Sequence, residues 1–190
     1  MRMICGVDEV GRGPLAGPVV ACAVLWADDC LIFGLDDSKK LSPKKRRVLA
    51  PKVREMALGI SFGRADVEEI DEINILQATM RAMERAIEGL GVFEAEILID
   101  GNMVPKILKG RATAVVGGDS LVPAISAASI LAKVARDAEM TALSENYPGY
   151  GFESNAGYPT KSHFEALRIL GVTPIHRRSF RPVREILEQS

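Results

Sequence analysis

The sequence predicts an α/β domain of about five strands with a helical C-terminal piece. Three observations predict it. Short apolar runs, bounded by acids, glycines or prolines, come early in the chain. Segments with apolar residues at helical spacing interleave with them and dominate later. The 190 residues are 47% hydrophobic and 26% charged, which supplies an ordinary core and excludes a disordered chain.

The elements follow in order. Ile4 to Val7 and Pro18 to Trp26 read as strands, joined by a Gly/Pro-rich loop or hairpin turn. Ser42-Pro43 is a helix start, with serine as cap and proline at the first helical position. Pro51 lies inside that helical pattern and predicts a kink or a split. Ile60 to Arg64 reads as a short strand. The clearest helix is VEEIDEINILQATMRAMERAIEGLG, where Ile73, Leu76, Met80, Met83 and Ile87 recur at helical spacing and Gly91 is the stop. ILID is an apolar run closed by Asp100. Ala112 to Val116 is a further strand, followed by Gly117, Gly118 and Asp119. PAISAASILAKVARDAEMTALSENY is a long helix whose small residues permit close packing, and PGYGFESNAGYPT is loop. SHFEALRILG and PVREILEQ are short terminal helices. The division expected is a main domain over 1–140 and a helical subdomain over 141–190 packed on it, with no linker between them.

The formal net charge of −1 argues mildly against a nucleic-acid binder, although patches matter more than totals. Cys5, Cys22 and Cys30 are odd in number and lack metal-ligand spacing. The first two lie in apolar runs, where free cysteine is a small buried hydrophobe, and this suggests a reducing compartment. Neither a signal peptide nor a membrane-spanning run is visible, so the expected location is cytoplasmic.

Three acids share one context. Asp8 ends the first strand, Asp100 ends a later one, and Asp119 follows the next. In open α/β sheets, ligand sites form outside strand ends, so such acids converge. Crowded carboxylates raise each other's pKa unless a cation intervenes. Hard oxygen ligands suit Mg²⁺ or Mn²⁺. Acids at strand ends are also common as turn formers and helix caps, and spacing alone does not separate the readings. Asp8 and Glu9 are adjacent, so on a regular strand they point to opposite faces. Asp137 competes with Asp119, but on a continuous helix the two would lie roughly 27 Å apart at ~1.5 Å per residue. Asp119, between strand and helix start, is the better candidate. Asp137, beside Arg136, is expected to form a structural ion pair.

DEVGRGPLAGPVV, DDSKKLS, EIDEINILQATMRAM, LIDGN, GDSLVPAISAASILAKVARD, YGFESNAGYPT and HRRSF, in this order, closely resemble the blocks of bacterial ribonuclease HII, the type 2 ribonuclease H. The resemblance covers nearly the whole chain. It implies a ribonuclease H-like fold with a mixed five-stranded sheet flanked by helices. It implies an endoribonuclease that cleaves the RNA of RNA–DNA hybrids and incises 5′ of single ribonucleotides in duplex DNA, a ribonucleotide-repair activity. It implies Mg²⁺ or Mn²⁺, two ions during catalysis, on Asp8, Glu9, Asp100 and Asp119. It places the junction-sensing loop on Gly11, Arg12 and Gly13, and the junction-sensing tyrosine on Tyr158. Type 3 ribonuclease H lacks the Gly-Arg-Gly step present here. The Gly117-Gly118 pair before Asp119 departs from the family's Lys-Gly step.

Two-metal hydrolysis needs no nucleophilic side chain, which fits a chain with only two histidines, His163 and His176, both read as structural. Basic residues cluster despite the balanced total. Lys39 and Lys40 stand in a turn suited to phosphates. Lys44 to Arg47 read as solvated surface, and His176, Arg177, Arg178, Arg181 and Arg184 form a C-terminal cluster. The glycines permit close backbone approach to a ribose, whose 2′-hydroxyl separates RNA from DNA. The expected partners are hybrid and ribonucleotide-containing duplexes, with no membrane, no obligate protein partner and a monomeric state. The competing classes are a non-enzymatic nucleic-acid-binding module, whose acids only cap helices, and a Mg²⁺-dependent small-molecule phosphatase.

Overall fold

The computed structural model describes residues 2–27, 41–91 and 94–189. Apolar runs rich in β-branched residues build a five-stranded sheet. Strands β1 (Met3–Val10) and β2 (Val19–Ala27) pair antiparallel, and β2 pairs antiparallel with β3 (Gly59–Ala65). On its other side β1 runs parallel to β4 (Glu96–Asp100), and β4 parallel to β5 (Ala112–Val115). The order is β3-β2-β1-β4-β5, a mixed sheet.

The period of two along the strands assigns each face. Val19, Ala21 and Ala23 of β2, with Cys5 and Val7 of β1 and Ile97 and Ile99 of β4, pack against one helix layer. Cys22, Val24 and Trp26 pack against the other. By the same alternation Asp8 and Asp100 belong to the second face, and Glu9 to the first.

The first layer is α2 (Val67–Leu90), which contributes Ala78, Ala82, Met83, Ala86 and Ile87. It is not the single helix that its periodicity predicts. Asn74 has φ 67° and ψ 162°, and breaks the helix. Its Oδ1 accepts the N–H groups of Leu76 at 3.0 Å and Gln77 at 3.2 Å, so it caps a second helical segment. Asparagine tolerates positive φ better than most residues, which places the break there. Gly91, at φ 66°, stops the helix as expected.

The second layer is α1 (Pro43–Met56) and α4 (Pro123–Asn146). Ser42 caps α1 by accepting the Lys45 N–H at 3.2 Å. Pro51 does not split α1, because it lies on the exposed side, where water can take the carbonyl it leaves unpaired. The small residues of α4 allow very close packing. A Cβ on Gly6 would lie 2.2 Å from the Ala124 carbonyl carbon, so only glycine lets α4 sit on β1 here.

The C-terminal helices are α6 (Lys161–Leu170) and α7 (Arg181–Glu188). The stretch expected as loop contains a short helical turn, α5 (Phe152–Asn155). A third apolar cluster joins Leu15 and Ala16, from the β1–β2 loop, to Met140, Tyr150, Phe152, Leu167 and Val183. Helix α4 runs unbroken through residue 140. Among the described residues, no helix is long and apolar enough to cross a membrane.

Candidate active site

β1 continues along β2 beyond the point where its pairing with β4 ends, at Val7 opposite Ile99. Asp8 and Glu9 therefore lie within the strand, paired with Cys22 and Ala21, rather than at its end. They still border an open edge, because β4 terminates at Asp100. The chain then passes through β5 and enters a short helix, α3 (Gly118–Leu121), whose first turn holds Asp119.

Carboxylate oxygens of Asp8, Asp100 and Asp119 all lie within 4.8 Å of one another. Asp8 and Asp119 are buried. The Asp119 N–H donates to Asp100 Oδ1 at 3.3 Å, and the Ser126 hydroxyl donates to the Asp119 carbonyl, fixing α3 against α4. Ser129 of α4 hydrogen-bonds the Asp8 side chain, and the Glu9 N–H donates to Asp8 Oδ1 at 2.7 Å. Burial pushes Asp8 well above the usual carboxylate range, and the charges of Glu9 and Asp100 push it further. Glu9 is raised too, first by burial and then by Asp100, against the opposing pull of Arg12. Such a group of hard oxygen donors, crowded and desolvated, fits a divalent ion of the Mg²⁺ or Mn²⁺ type.

Glu9 is not within the 4.8 Å set. Its carboxylate accepts from Arg12 Nη1 at 3.5 Å and also interacts with the Asp8 and Asp100 carboxylates. Asp137 is not among the converging acids and is ion-paired, but not with Arg136. Its partners are Lys133 at 2.6 Å and Arg46 at 3.9 Å. Neighbouring helical residues diverge, whereas residues four apart face each other.

Next to the acids the β1–β2 loop is built around two buried arginines that sequence reasoning missed. Arg177 donates to the carbonyls of Gly11 at 2.6 Å, Arg12 at 3.0 Å and Gly17 at 2.8 and 3.0 Å. Arg136 donates to Pro18 at 2.9 Å, Ala16 at 3.0 Å and Ala156 at 2.9 Å. Both are fully buried. Burial lowers both pKa values, that of Arg177 to about 9, with Arg136's charge adding to the effect, so both stay charged at neutral pH. The expected C-terminal basic patch is therefore not one surface. His176 and Arg177 face inward, the Arg178 and Ser179 N–H groups bind the Asp71 carboxylate at 2.9 Å, and Arg181 pairs with Glu185. Arg46 likewise leaves the solvated set, since it is buried and donates to the Leu41 carbonyl at 2.6 Å. One signal for Arg136 was available. It lies at helical spacing with Ala128, Ala132 and Met140, on the buried stripe of α4.

The structure assigns the loop glycines different roles. Gly11 has φ +95°, and a Cβ there would strike Arg136 Nε at 2.3 Å. Gly13 has no such constraint. A methyl on it would meet one atom within 4 Å among the described residues, Tyr158 Cε1 at 3.8 Å. Loop and tyrosine thus face each other. Lys133 Nζ and the Arg136 guanidinium lie 5.5 and 5.9 Å from the Tyr158 ring centroid. A cleft of about 720 Å³ opens beside Tyr158, lined by Arg46, Arg47, Lys133 and Asp137 among others. Lys39 and Lys40 lie outside the described residues.

The fold has solved counterparts. Ribonuclease H2 from Pyrococcus horikoshii OT3 superposes with a TM-score of 0.81 at 28% identity, over 98% of each chain. Ribonuclease HII from Archaeoglobus fulgidus, solved in complex with PCNA, gives 0.80 at 27% identity, over 94% of this chain and 95% of that one. With the converging carboxylates, these matches define a metal-dependent nuclease of ribonuclease H-like fold. A family model described as Ribonuclease HII matches residues 5–183. The curated Ribonuclease HII of Azoarcus sp. (strain BH72) is 57% identical over 188 residues, 99% of this chain and 92% of that protein. The chain belongs to the ribonuclease HII family. A non-enzymatic binding module and a small-molecule phosphatase are thereby set aside.

Two predictions follow from the buried charges. Asp100→Asn removes one of the crowded carboxylates, so its metal-free melting temperature should equal or exceed the parent's. Mg²⁺ should raise the parent's melting temperature and leave the variant's nearly unmoved; an equal metal shift in both would remove Asp100 from the site. The second concerns His176, whose pKa burial and the neighbouring His163 lower to about 4. Its stabilising contribution is complete above the unfolded value near 6.5 and declines as pH falls toward 4. Between pH 7 and 5 the parent should lose about 2 kcal/mol relative to His176→Gln. Parallel stability curves for the two proteins would contradict this.

Proposed function

We propose that this chain is an endoribonuclease that hydrolyses the RNA strand of RNA–DNA hybrids and nicks 5′ of single ribonucleotides embedded in duplex DNA. The observation that carries this reading is the convergence of Asp8, Asp100 and Asp119 beside a glycine loop that faces a tyrosine. Asp8, Glu9, Asp100 and Asp119 would hold the divalent ions. Two such ions, Mg²⁺ or Mn²⁺, would supply activation of a water and stabilisation of the leaving oxygen. The other residues in this reading act by position. The Gly11-Arg12-Gly13 backbone, held from behind by Arg177, meets the ribose and its 2′-hydroxyl. The Tyr158 ring packs against the neighbouring deoxyribose, where a 2′-hydroxyl would crowd it. Lys39 and Lys40 bind backbone phosphates without reading sequence. Residues 141–190 form a helical subdomain that carries Tyr158 onto the catalytic domain, and the enzyme acts as a cytoplasmic monomer.

The direct test is a DNA duplex carrying one ribonucleotide, incubated with Mg²⁺ or with chelator. A single nick on the 5′ side, absent with chelator, is the expected result; chelator-resistant cleavage would sink the metal-dependent reading. Gly13→Ala tests the loop. Because Gly13 is not at positive φ, the added methyl fills the gap toward Tyr158 without straining the backbone. The rate on the embedded ribonucleotide should fall more than the rate on continuous hybrid, which offers many registers. An unchanged ratio with both rates near the parent's would make this loop an ordinary turn.

A further inference from the structure

The two histidines lie outside the chemistry, yet both are fully buried and touch each other. Their Nε2 atoms are 3.1 Å apart. The remaining nitrogens decide which tautomer each ring adopts. His176 Nδ1 receives the Thr173 N–H at 3.0 Å, so it carries no proton. The Thr173 hydroxyl, at 2.7 Å, donates to the same lone pair. A neutral His176 is therefore protonated on Nε2 and donates to His163. His163 Nε2 accepts, which leaves its proton on Nδ1. That proton points at the Tyr158 carbonyl, 2.9 Å away. The donors run in one direction, from Thr173 through His176 and His163 to Tyr158.

The surroundings keep this order neutral. The rings of Tyr150 and Phe152 pack on the pair, with centroids 5.2 to 5.8 Å from the imidazoles. Burial lowers both imidazole pKa values. The ends of the chain of bonds are anchored at functional places. Ala16, in the glycine loop, forms a β-bridge with His176, and the Leu15 N–H donates to the Gly157 carbonyl at 2.8 Å. The relay thus spans the segment that carries Tyr158 and the loop opposite it.

We propose that the His163–His176 pair is a directional hydrogen-bond relay that positions Tyr158 against the Gly13 backbone, and so sets the preference for a lone ribonucleotide over continuous hybrid. His163 and His176 are positioning residues in this account, since neither touches substrate. The functional half of the proposal rests on the reading of Tyr158 as the junction contact; the tautomer half does not.

Two measurements test the halves separately. Nitrogen-15 correlation spectra of the parent at pH 7 should show His163 protonated on Nδ1 and His176 on Nε2. The opposite tautomers, or a charged ring, would overturn the relay whatever Tyr158 does. Kinetics then compare the embedded-to-hybrid rate ratio in four proteins: the parent, Tyr158→Ala, His163→Leu and His163→Asn. Asparagine keeps a donor near the Nδ1 position, and leucine does not. Losing one buried hydrogen bond should lower the ratio about tenfold in His163→Leu, with the hybrid rate changed less than about threefold. His163→Asn should recover most of the ratio, which general destabilisation would not produce. If His163→Leu does not fold, the asparagine variant decides alone, since a parent-like ratio supports the relay and a collapsed ratio overturns it. A ratio lowered in Tyr158→Ala but untouched in His163→Leu overturns the positioning role. A ratio unchanged in Tyr158→Ala identifies the junction reading as what failed, and the functional half falls with it.

Discussion

The structure depends on two guanidinium groups buried against backbone carbonyls. Arg136 and Arg177 are both fully buried, and their partners include the carbonyls of Gly11, Arg12, Ala16, Gly17 and Pro18. A loop containing Pro14 and Pro18 is short of N–H donors, so its inward carbonyls need donors from elsewhere. Arginine's rigid fork of five N–H groups meets that need at several carbonyls from one side chain. The arrangement ties three distant parts of the chain together. The loop belongs to the β1–β2 hairpin, Arg136 to α4, and Arg177 to the segment before α7. Asp71 secures that segment from α2 by accepting the Arg178 and Ser179 N–H groups. Only Glu9 and Val10 separate Asp8 from Gly11, so whatever fixes the loop also fixes the first carboxylate.

A second constraint opposes the first. Three carboxylates converge where α4 meets the sheet, and burial with the neighbouring charges of Glu9 and Asp100 disfavours ionisation of Asp8. Close helix packing nevertheless supports the group. Gly6 lets α4 approach β1, and Ser126 and Ser129 then reach Asp119 and Asp8. The small-residue face of α4 is therefore a positioning surface as well as core. Glu9, one residue along the strand, accepts from Arg12 while also interacting with Asp8 and Asp100.

Much of this was legible in the sequence because local rules govern it. Strand and helix periods placed most elements, Ser42 and Gly91 acted as the cap and stop their chemistry predicts, and Asp8, Asp100 and Asp119 converge, although Asp8 lies within its strand rather than at its end. The misses have two causes: side-chain partners a few residues away that apolar spacing does not report, and distant partners that composition does not reveal. Asn74 breaks a helix whose apolar spacing continues across it. Asp137 pairs with Lys133, four residues back, rather than with its neighbour. Arg177 sits in a run of cations, where a surface patch is the natural reading. Its burial follows from the carbonyls of a loop 160 to 166 residues earlier.

The central claim is that the buried guanidinium of Arg177 holds the glycine loop. Hydrogen exchange on Arg177→Lys tests it most directly, because a lysine cannot span three carbonyls. In the parent, the Leu15 and Gly17 N–H groups bond the carbonyls of Gly157 and Ile175 and should be protected. In the variant, exchange over residues 11–18 should accelerate at least ~10-fold while β4 and β5 keep the parent's protection. Unchanged protection over 11–18 in a folded variant would contradict the account.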